Sequence, residues 1–322
     1  MKNKKYMFRN NVILVFEFVF LINMINGNDF FCTNKLKFNN NGKFKIVQFT
    51  DLHQTDCINL KTVAFMERVL DYEKPDFVVL TGDNIDGRYC MSMTYEGAIK
   101  SIAEPMEKRK IPWTVVLGNH DTEAINVERK TMIKKYMKYK YNMNKINDDN
   151  CAFNLIVNDS KNKAPIFNMY MMDSGSYDNK GGYGCIKPSE VQWYRKTSSE
   201  IKNKYGHLIP AVMFFHIPLS QYCKAWNNQK IDGEKNESIC SQSSDSGLFK
   251  AIINGGDVKA IFVGHDHTND YIGKSDGIIM GYGRCSGYDA YAQSGYRRGA
   301  RVFFIDEDNV TKFKSWERLE EN

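Results

Sequence analysis

The chain has 322 residues, 25% of them charged and 42% hydrophobic, with a formal net charge of +6. That is ordinary globular composition, long enough for one large domain or two small ones. The positive balance comes from scattered lysines, with no basic block interleaved with aromatics, so nucleic-acid binding is not indicated.

The first element in chain order is a targeting signal. Lys2, Lys4, Lys5 and Arg9 precede the apolar run VILVFEFVFLI at 12–22. A basic segment followed by a short apolar run reads as a secretory signal peptide over 1–27, cut near Gly27, which leaves a mature domain over 28–322. Glu17 interrupts the apolar run, and an uncleaved anchor is the alternative. The expected destination is secretion or the lysosome or vacuole. No later stretch of sequence is long and apolar enough to span a bilayer. Eight cysteines, at 32, 57, 90, 151, 185, 223, 240 and 285, follow the cut, and an even count in a secreted chain suggests disulfides. None forms a Cys-x-x-Cys pair, which argues against a zinc ribbon. Sequons at Asn158, Asn236 and Asn309 fit a glycoprotein.

Apolar runs then alternate with helical patterns. FKIVQFT (44–50) reads as a buried strand, and 59–73 as a helix with Val63, Met66, Val69 and Leu70 on one face. FVVLTGD (77–83) is the next strand, 95–109 a helix, and WTVVLGNH (113–120) a third strand. Residues 123–140 look helical and basic, with a solvated face. Two neighbouring strands follow at 151–158 and 166–174, then a Gly-rich loop at 181–184 and a helix opened by Pro188 that runs to about Tyr205. AVMFFHIP (211–218), VKAIFVGHDH (258–267) and runs near 278–282 and 301–305 complete the strands. The alternation predicts an α/β fold with parallel strands. The polar segment 227–246 reads as a surface insertion. Cys223 and Cys240 bracket it, and a bridge between them would stabilise the fold by about 3 kcal/mol in the chain-entropy model; Cys185 and Cys285 are the competing partners.

Five strands end in polar residues of one kind. They deliver Asp51 and His53, then Asp83, then Asn119, His120 and Asp121, then His216, then His265 and His267. Five of the six histidines fall at these ends; His207 sits in a helix–strand loop and reads as surface. The carboxyl ends of parallel strands share one rim, where ligands bind. Residues i and i+2 of an extended chain point the same way, so Asp51 and His53 can hold one metal, while His265 and His267 can reach two adjacent ones. A carboxylate has two oxygens, so Asp83 can bridge. Imidazole with mixed N/O donors suits Zn, Fe and Mn better than Ca or Mg.

The ordered set Asp-x-His, Gly-Asp, Gly-Asn-His-Asp, a lone His and Gly-His-x-His resembles the calcineurin-like metallophosphoesterase superfamily, from Phe44 to about residue 305. TGDNIDG, LGNHD and FFHIPLSQY are most similar to small purple-acid-phosphatase-like proteins. The resemblance implies a four-layer αββα sandwich of two mixed β-sheets flanked by helices, with two divalent or trivalent metal ions (Fe, Zn or Mn). Carried over by position, it puts Asp51, His53 and His267 on the first metal, Asp83 between the two, and Asn119, His216 and His265 on the second. His120 is then not a ligand but the group that contacts substrate and protonates the leaving oxygen. An orienting carboxylate for His120 is expected from Asp86, because GDNIDGR resembles the Gly-Asp-x-x-Asp-Arg-Gly of serine/threonine phosphatases; Asp121 is the alternative, and a turn-capping role is open to both. Asp86 also stands where purple acid phosphatases carry a metal-binding tyrosine, so a coloured tyrosinate–iron(III) centre is not expected.

These features predict a secreted enzyme that hydrolyses phosphomonoesters, of small molecules or proteins, through a dinuclear metal-bound hydroxide. A phosphodiesterase acting on nucleotides or lipid headgroups is one alternative, and a catalytically silent binding protein another. Tyr183, Tyr222 and Trp226 lie in loops that could face a substrate, although aromatic loop residues more often serve packing.

Overall fold

The computed structural model describes residues 35–91, 94–147 and 151–321. The signal segment and Cys32 lie outside these. Along the chain run β1 (Leu36–Lys37), β2 (Lys43–Phe49), α1 (Leu60–Glu73), β3 (Phe77–Thr81), α2 (Tyr95–Arg109), β4 (Trp113–Val116), α3 (Arg129–Tyr136), β5 (Phe153–Asn158) and β6 (Pro165–Met171). Then come α4 (Pro188–Tyr205), β7 (Ala211–Phe214), α5 (Gln221–Gln229), β8 (Lys230–Asp232), α6 (Leu248–Gly255), β9 (Val258–Val263), β10 (Ile272–Ser275), β11 (Ile278–Tyr282), β12 (Gly299–Asp306) and β13 (Lys314–Leu319).

The strands form two mixed sheets, ordered β1-β5-β6-β7-β9-β11-β10-β8 and β13-β12-β2-β3-β4. In the first, β6, β7, β9 and β11 are parallel, β5 runs against β6 and along β1, and β10 runs against both β11 and β8. In the second, β2, β3 and β4 are parallel and β12 runs against β2. Side-chain alternation explains how they stack. Phe44, Ile46, Phe77, Val79, Met169, Val212, Phe214, Ala260 and Phe262 share one apolar layer with Phe303, fed by both sheets. The intervening residues face helices. Val47, Phe49, Val78 and Leu80 meet Phe65, Met66, Ile102 and Met132 of α1 to α3. Tyr170, Met213, Ile261 and Val263 meet Val191, Tyr194, Tyr222 and Ile252 of α4 to α6. Both faces of each central strand are therefore buried, which is why these strands read as unbroken apolar runs. The result is the expected αββα sandwich.

Local chemistry sets several boundaries. The Asn59 side chain accepts the backbone N–H groups of Lys61 and Thr62 and starts α1. Pro188 opens α4, and Gly206 closes it in the left-handed conformation. The helix expected over 123–140 is shorter, Arg129–Tyr136. Ala124 and Asn126 take left-handed conformations, and His120–Thr122 forms its own single turn, so the residues after His120 become a loop at the strand ends.

The segment 227–246 is not an unsupported insertion. Its first residues finish α5, and β8 then pairs with β10. Beyond β8, Asp270 Oδ1 accepts Glu234 N–H at 2.6 Å, Asn269 Oδ1 accepts those of Asn236 and Glu237 at 2.9 and 3.0 Å, and Asp266 accepts that of Cys240 at 3.2 Å. These side chains hold the segment where a disulfide was expected to. None of the seven described cysteines, 57, 90, 151, 185, 223, 240 and 285, is in a disulfide. The Cys223–Cys240 bridge is therefore not formed: Cys223 is exposed on α5, with Asn227 Nδ2 at 3.5 Å from its sulfur, while Cys240 is tied to Asp266. Among the described residues, no helix is long and apolar enough to cross a membrane.

Candidate metal centre

The carboxyl ends of β2, β3, β4, β7 and β9 supply every residue singled out for metal binding. Asp51, His53, Asp83 and His267 place one ligand atom each within 4.8 Å of one another, and so do Asp83, His216 and His265. Asp83 belongs to both groups. All six are buried, as is Asn119. Asp83 Oδ2 lies 3.1 Å from His216 Nε2 and 3.7 Å from His53 Nε2, and Asp51 Oδ1 lies 3.5 Å from His267 Nε2.

The backbone that presents them is strained. Asp51, His53, Asp83 and His265 have φ of 53°, 47°, 47° and 80°, left-handed values that cost a non-glycine residue about 1–3 kcal/mol each. Main-chain bonds hold these turns in place: Asp51 N–H to Gly82 O at 3.0 Å and His53 N–H to Asp83 O at 2.9 Å. Two motif glycines are required by close approach. A Cβ on Gly82 would fall 2.4 Å from His216 Nδ1, and one on Gly118 would fall 2.1 Å from Asp83 Oδ1.

The donor set fits metal ions. His53 Nε2, Asn119 Oδ1, His265 Nε2 and His267 Nδ1 are buried without a hydrogen-bond partner. A buried polar atom left unpaired costs about 1–3 kcal/mol, and four gathered at one rim call for a shared partner. Without metal, burial raises Asp51 to about 6, with His216 pulling the other way. Burial would also raise Asp83, but the charge and hydrogen bond of His216 hold it well below the carboxylate range. Burial depresses an imidazole, yet Asp83 and then Asp51 lift His216 to about 9. Burial pushes His265 down to about 3, helped by the His216 charge, and pushes His267 down as well. His216 thus takes the place of a cation between the carboxylates, while His265 and His267 keep free lone pairs for a metal.

Each ligand is steered from behind. His216 Nδ1–H donates to Thr81 O at 2.8 Å, leaving Nε2 to face Asp83. His53 Nδ1–H donates to Asp86 Oδ2 at 3.3 Å, and Arg88 grips Asp86 through Nε and Nη2 at 2.9 and 2.7 Å. Burial works against the Asp86 anion, but the Arg88 and His53 hydrogen bonds win and hold its carboxyl far below the usual range. The structure therefore places Asp86 behind His53, not beside His120. A carboxylate behind a ligating histidine fixes its tautomer and raises its basicity, and losing one costs about 10–100-fold in metal affinity. Asp86→Asn is accordingly expected to raise the metal dissociation constant by about that factor. Competition with a chelator measures it, and unchanged affinity would remove Asp86 from the metal site.

Asp121 is equally committed elsewhere. Its carboxylate accepts the N–H groups of Asn84 and Ile85, both at 3.0 Å, and of Gly118 at 2.7 Å, stitching the β3 and β4 loops together. The partner of His120 is Glu123, whose Oε2 receives Nδ1. His120 is only partly buried, and its Nε2 lies 3.9 Å from Asp83 Oδ2, so one ring nitrogen faces the clusters and the other is held by a carboxylate. Sequence reasoning missed Glu123 because it weighed only Asp86 and Asp121; the signal was an acid three residues after His120. Tyr177 was missed too. Its hydroxyl accepts from Asn119 Nδ2 and donates to Glu123. Of the aromatics considered, Tyr183 stands edge-on to His265 at 4.3 Å. Tyr222 is buried on α5, its hydroxyl on the carbonyls of Ile261 and Gly281, and Trp226 packs on Tyr271 at 5.0 Å; neither is a loop residue facing substrate. Tyr291, not singled out from the sequence, stacks on His267 at 4.0 Å.

An αββα sandwich whose strand ends gather two Asp/His clusters around one shared carboxylate defines a dinuclear metallohydrolase. Residues 44–269 match the family model described as calcineurin-like phosphoesterase, and the chain belongs to that family. It is 34% identical to a protein of Arabidopsis thaliana called "Probable inactive purple acid phosphatase 29", over 89% of this chain and 85% of that one. It is 29% identical to "Phosphatase DCR2" of Saccharomyces cerevisiae, over 98% of this chain and 59% of that one. The solved structure of a dimetal phosphatase from Danio rerio superposes with a TM-score of 0.57 at 14% identity, covering 84% of this chain and 98% of that one, which shows a shared fold. The intact clusters and the family domain are those of a catalytic metallophosphoesterase.

Proposed function

We propose that this protein hydrolyses phosphomonoesters with a dinuclear metal centre held by Asp51, His53 and His267 on one side, Asn119, His216 and His265 on the other, and Asp83 between them. The observation that carries the reading is the pair of buried clusters sharing Asp83, with four unpartnered donor atoms among and beside them. Two bound metal ions supply Lewis acidity and activate water as the nucleophile. The residues do the rest. Asp83 and Asp51 are the carboxylates of the clusters and return less charge than two divalent ions bring, so the site remains attractive to a phosphate dianion. His120, at the mouth, holds its proton on Nε2 toward the leaving oxygen, while Glu123 fixes the ring through Nδ1 and stabilises the imidazolium before transfer. Asp86 and Thr81 O keep His53 and His216 in the tautomers that face the clusters. No serine or cysteine nucleophile is needed.

The basic and apolar amino terminus supports a secretory route, without any contribution from disulfides, and detection of the chain in medium or vacuole tests that part. The catalytic part is tested on protein reconstituted separately with manganese, zinc and iron. The expected result is chelator-sensitive turnover of p-nitrophenyl phosphate exceeding that of bis(p-nitrophenyl) phosphate. Faster diester turnover would reassign the substrate class, and absence of turnover with both metals bound would make the chain a binding protein.

A further inference from the structure

The loop between β6 and α4 carries a hydroxyl that touches both halves of the chemistry proposed above. Tyr177 accepts Asn119 Nδ2–H at 2.9 Å and donates to Glu123 Oε2 at 3.3 Å. An asparagine that offers its carbonyl oxygen to a metal points its amide nitrogen the other way, and an acceptor for that nitrogen fixes the orientation. Tyr177 is that acceptor, and Asn119 Oδ1 is left as one of the four unpartnered buried atoms. On its other side the same hydroxyl completes the shell of the carboxylate that holds His120.

The loop is built to hold this ring in place. Ser176 Oγ donates to Asn119 O at 3.0 Å, docking the backbone beside the residue that Tyr177 steers. Tyr177 and Tyr183 pair as an isolated antiparallel bridge, and their rings stack at 5.9 Å and 27°. Tyr183 in turn stands against His265. Gly184 makes the hairpin possible, because a Cβ there would fall 2.9 Å from Ser176 N. One loop therefore braces Asn119 and His265, both expected on the same metal, and reaches across to Glu123.

We propose that Tyr177 is a positioning residue for phosphoester hydrolysis: its hydroxyl turns the Asn119 carbonyl oxygen toward the second metal position and fixes Glu123 against His120. The inference rests on the phosphoesterase reading. A tyrosine hydroxyl suits the task because it accepts and donates at once; phenylalanine keeps the ring stack and loses both bonds.

Tyr177→Phe in the full chain, loaded with manganese, tests it in two arms. In the first, competition with a chelator should show the weaker of two manganese sites losing affinity by about tenfold, the scale of a lost outer-shell partner. In the second, kcat on phenyl phosphate, whose leaving group needs a proton, should fall about tenfold. The fall on 2,4-dinitrophenyl phosphate, whose leaving group needs none, should be smaller. Adding Tyr177→Phe to Glu123→Gln should cost much less on phenyl phosphate than it does in the wild type, because the two act as one unit. Wild-type manganese affinity together with wild-type kcat, or full additivity with Glu123→Gln, would overturn the proposal. If the wild-type chain turns over neither ester, the hydrolase reading fails, and the affinity arm alone decides whether Tyr177 orients Asn119.

Discussion

Asp83→Asn is expected to leave less than one metal ion per chain and to lower kcat/KM by about a thousandfold or more, the factor that corresponds to several kcal/mol of lost charge stabilisation. Among the described residues, Asp83 is the one common to the two clusters. Its two oxygens face different partners, Oδ1 the backbone N–H of His120 at 2.8 Å and Oδ2 the ring of His216 at 3.1 Å. Oδ2 also lies 3.7 Å from His53 Nε2, so this one oxygen faces both clusters. An asparagine keeps the volume but is neutral, and its amide nitrogen must replace either Oδ2 at the clusters or Oδ1 at the His120 N–H. Elemental analysis and activity are read on the same preparation, with circular dichroism to show that the fold persists. Retention of two metals by the folded variant would mean that Asp83 does not bridge.

His120→Ala is expected to do the opposite to the metals and nearly the same to turnover. The ring lies outside both clusters and hydrogen-bonds to Glu123, so both ions should stay bound. Turnover of an alkyl phosphate should fall by about 10²–10⁴, the contribution of a positioned general acid. Metal loss from this variant would make His120 a ligand and would return the acid role to another group. Glu123→Gln should reproduce a part of the defect with both metals in place, which separates the positioning of the ring from its chemistry.

Asp83 and His120 each lie within a few residues of the end of an apolar run, and the parallel strands of a sandwich send all such ends to one rim. Their convergence was therefore readable from the spacing. Asp51 with His53, and His265 with His267, fall into clusters as expected of an extended chain, but for a different reason. The strands stop at Phe49 and Val263, and the ligands sit in loops with left-handed residues. The i, i+2 rule for a strand does not apply there; the turns place Asp51 and His53 in one cluster and His267 apart from His265.

The partner carboxylates were the hardest to foresee. Asp86 lies 34 residues before His120, and Asp121 and Glu123 one and three after it, but their chemistry is the same. Their assignments differ because Arg88 draws Asp86 behind His53, the N–H groups of Asn84, Ile85 and Gly118 consume Asp121, and the turn over His120–Thr122 returns Glu123 onto the ring. The cysteines taught a similar lesson. An even count suggested pairing, but Asp266, Asn269 and Asp270 already anchor the segment between Cys223 and Cys240.

By itself, then, the sequence determined the αββα class, the residues that reach the metal rim and the family. The α/β alternation and the rim residues follow from local periodicity and from residue types that recur at strand ends, while the αββα sandwich follows from the family resemblance that those motifs carry; such signals survive without knowledge of any long-range contact. Only the tertiary structure decided which acid serves which histidine, that Tyr177 joins Asn119 to Glu123, and that the seven described cysteines stay free. Those outcomes depend on side-chain directions set by a few loop dihedrals and on distances between segments far apart in the chain, and a linear pattern carries neither.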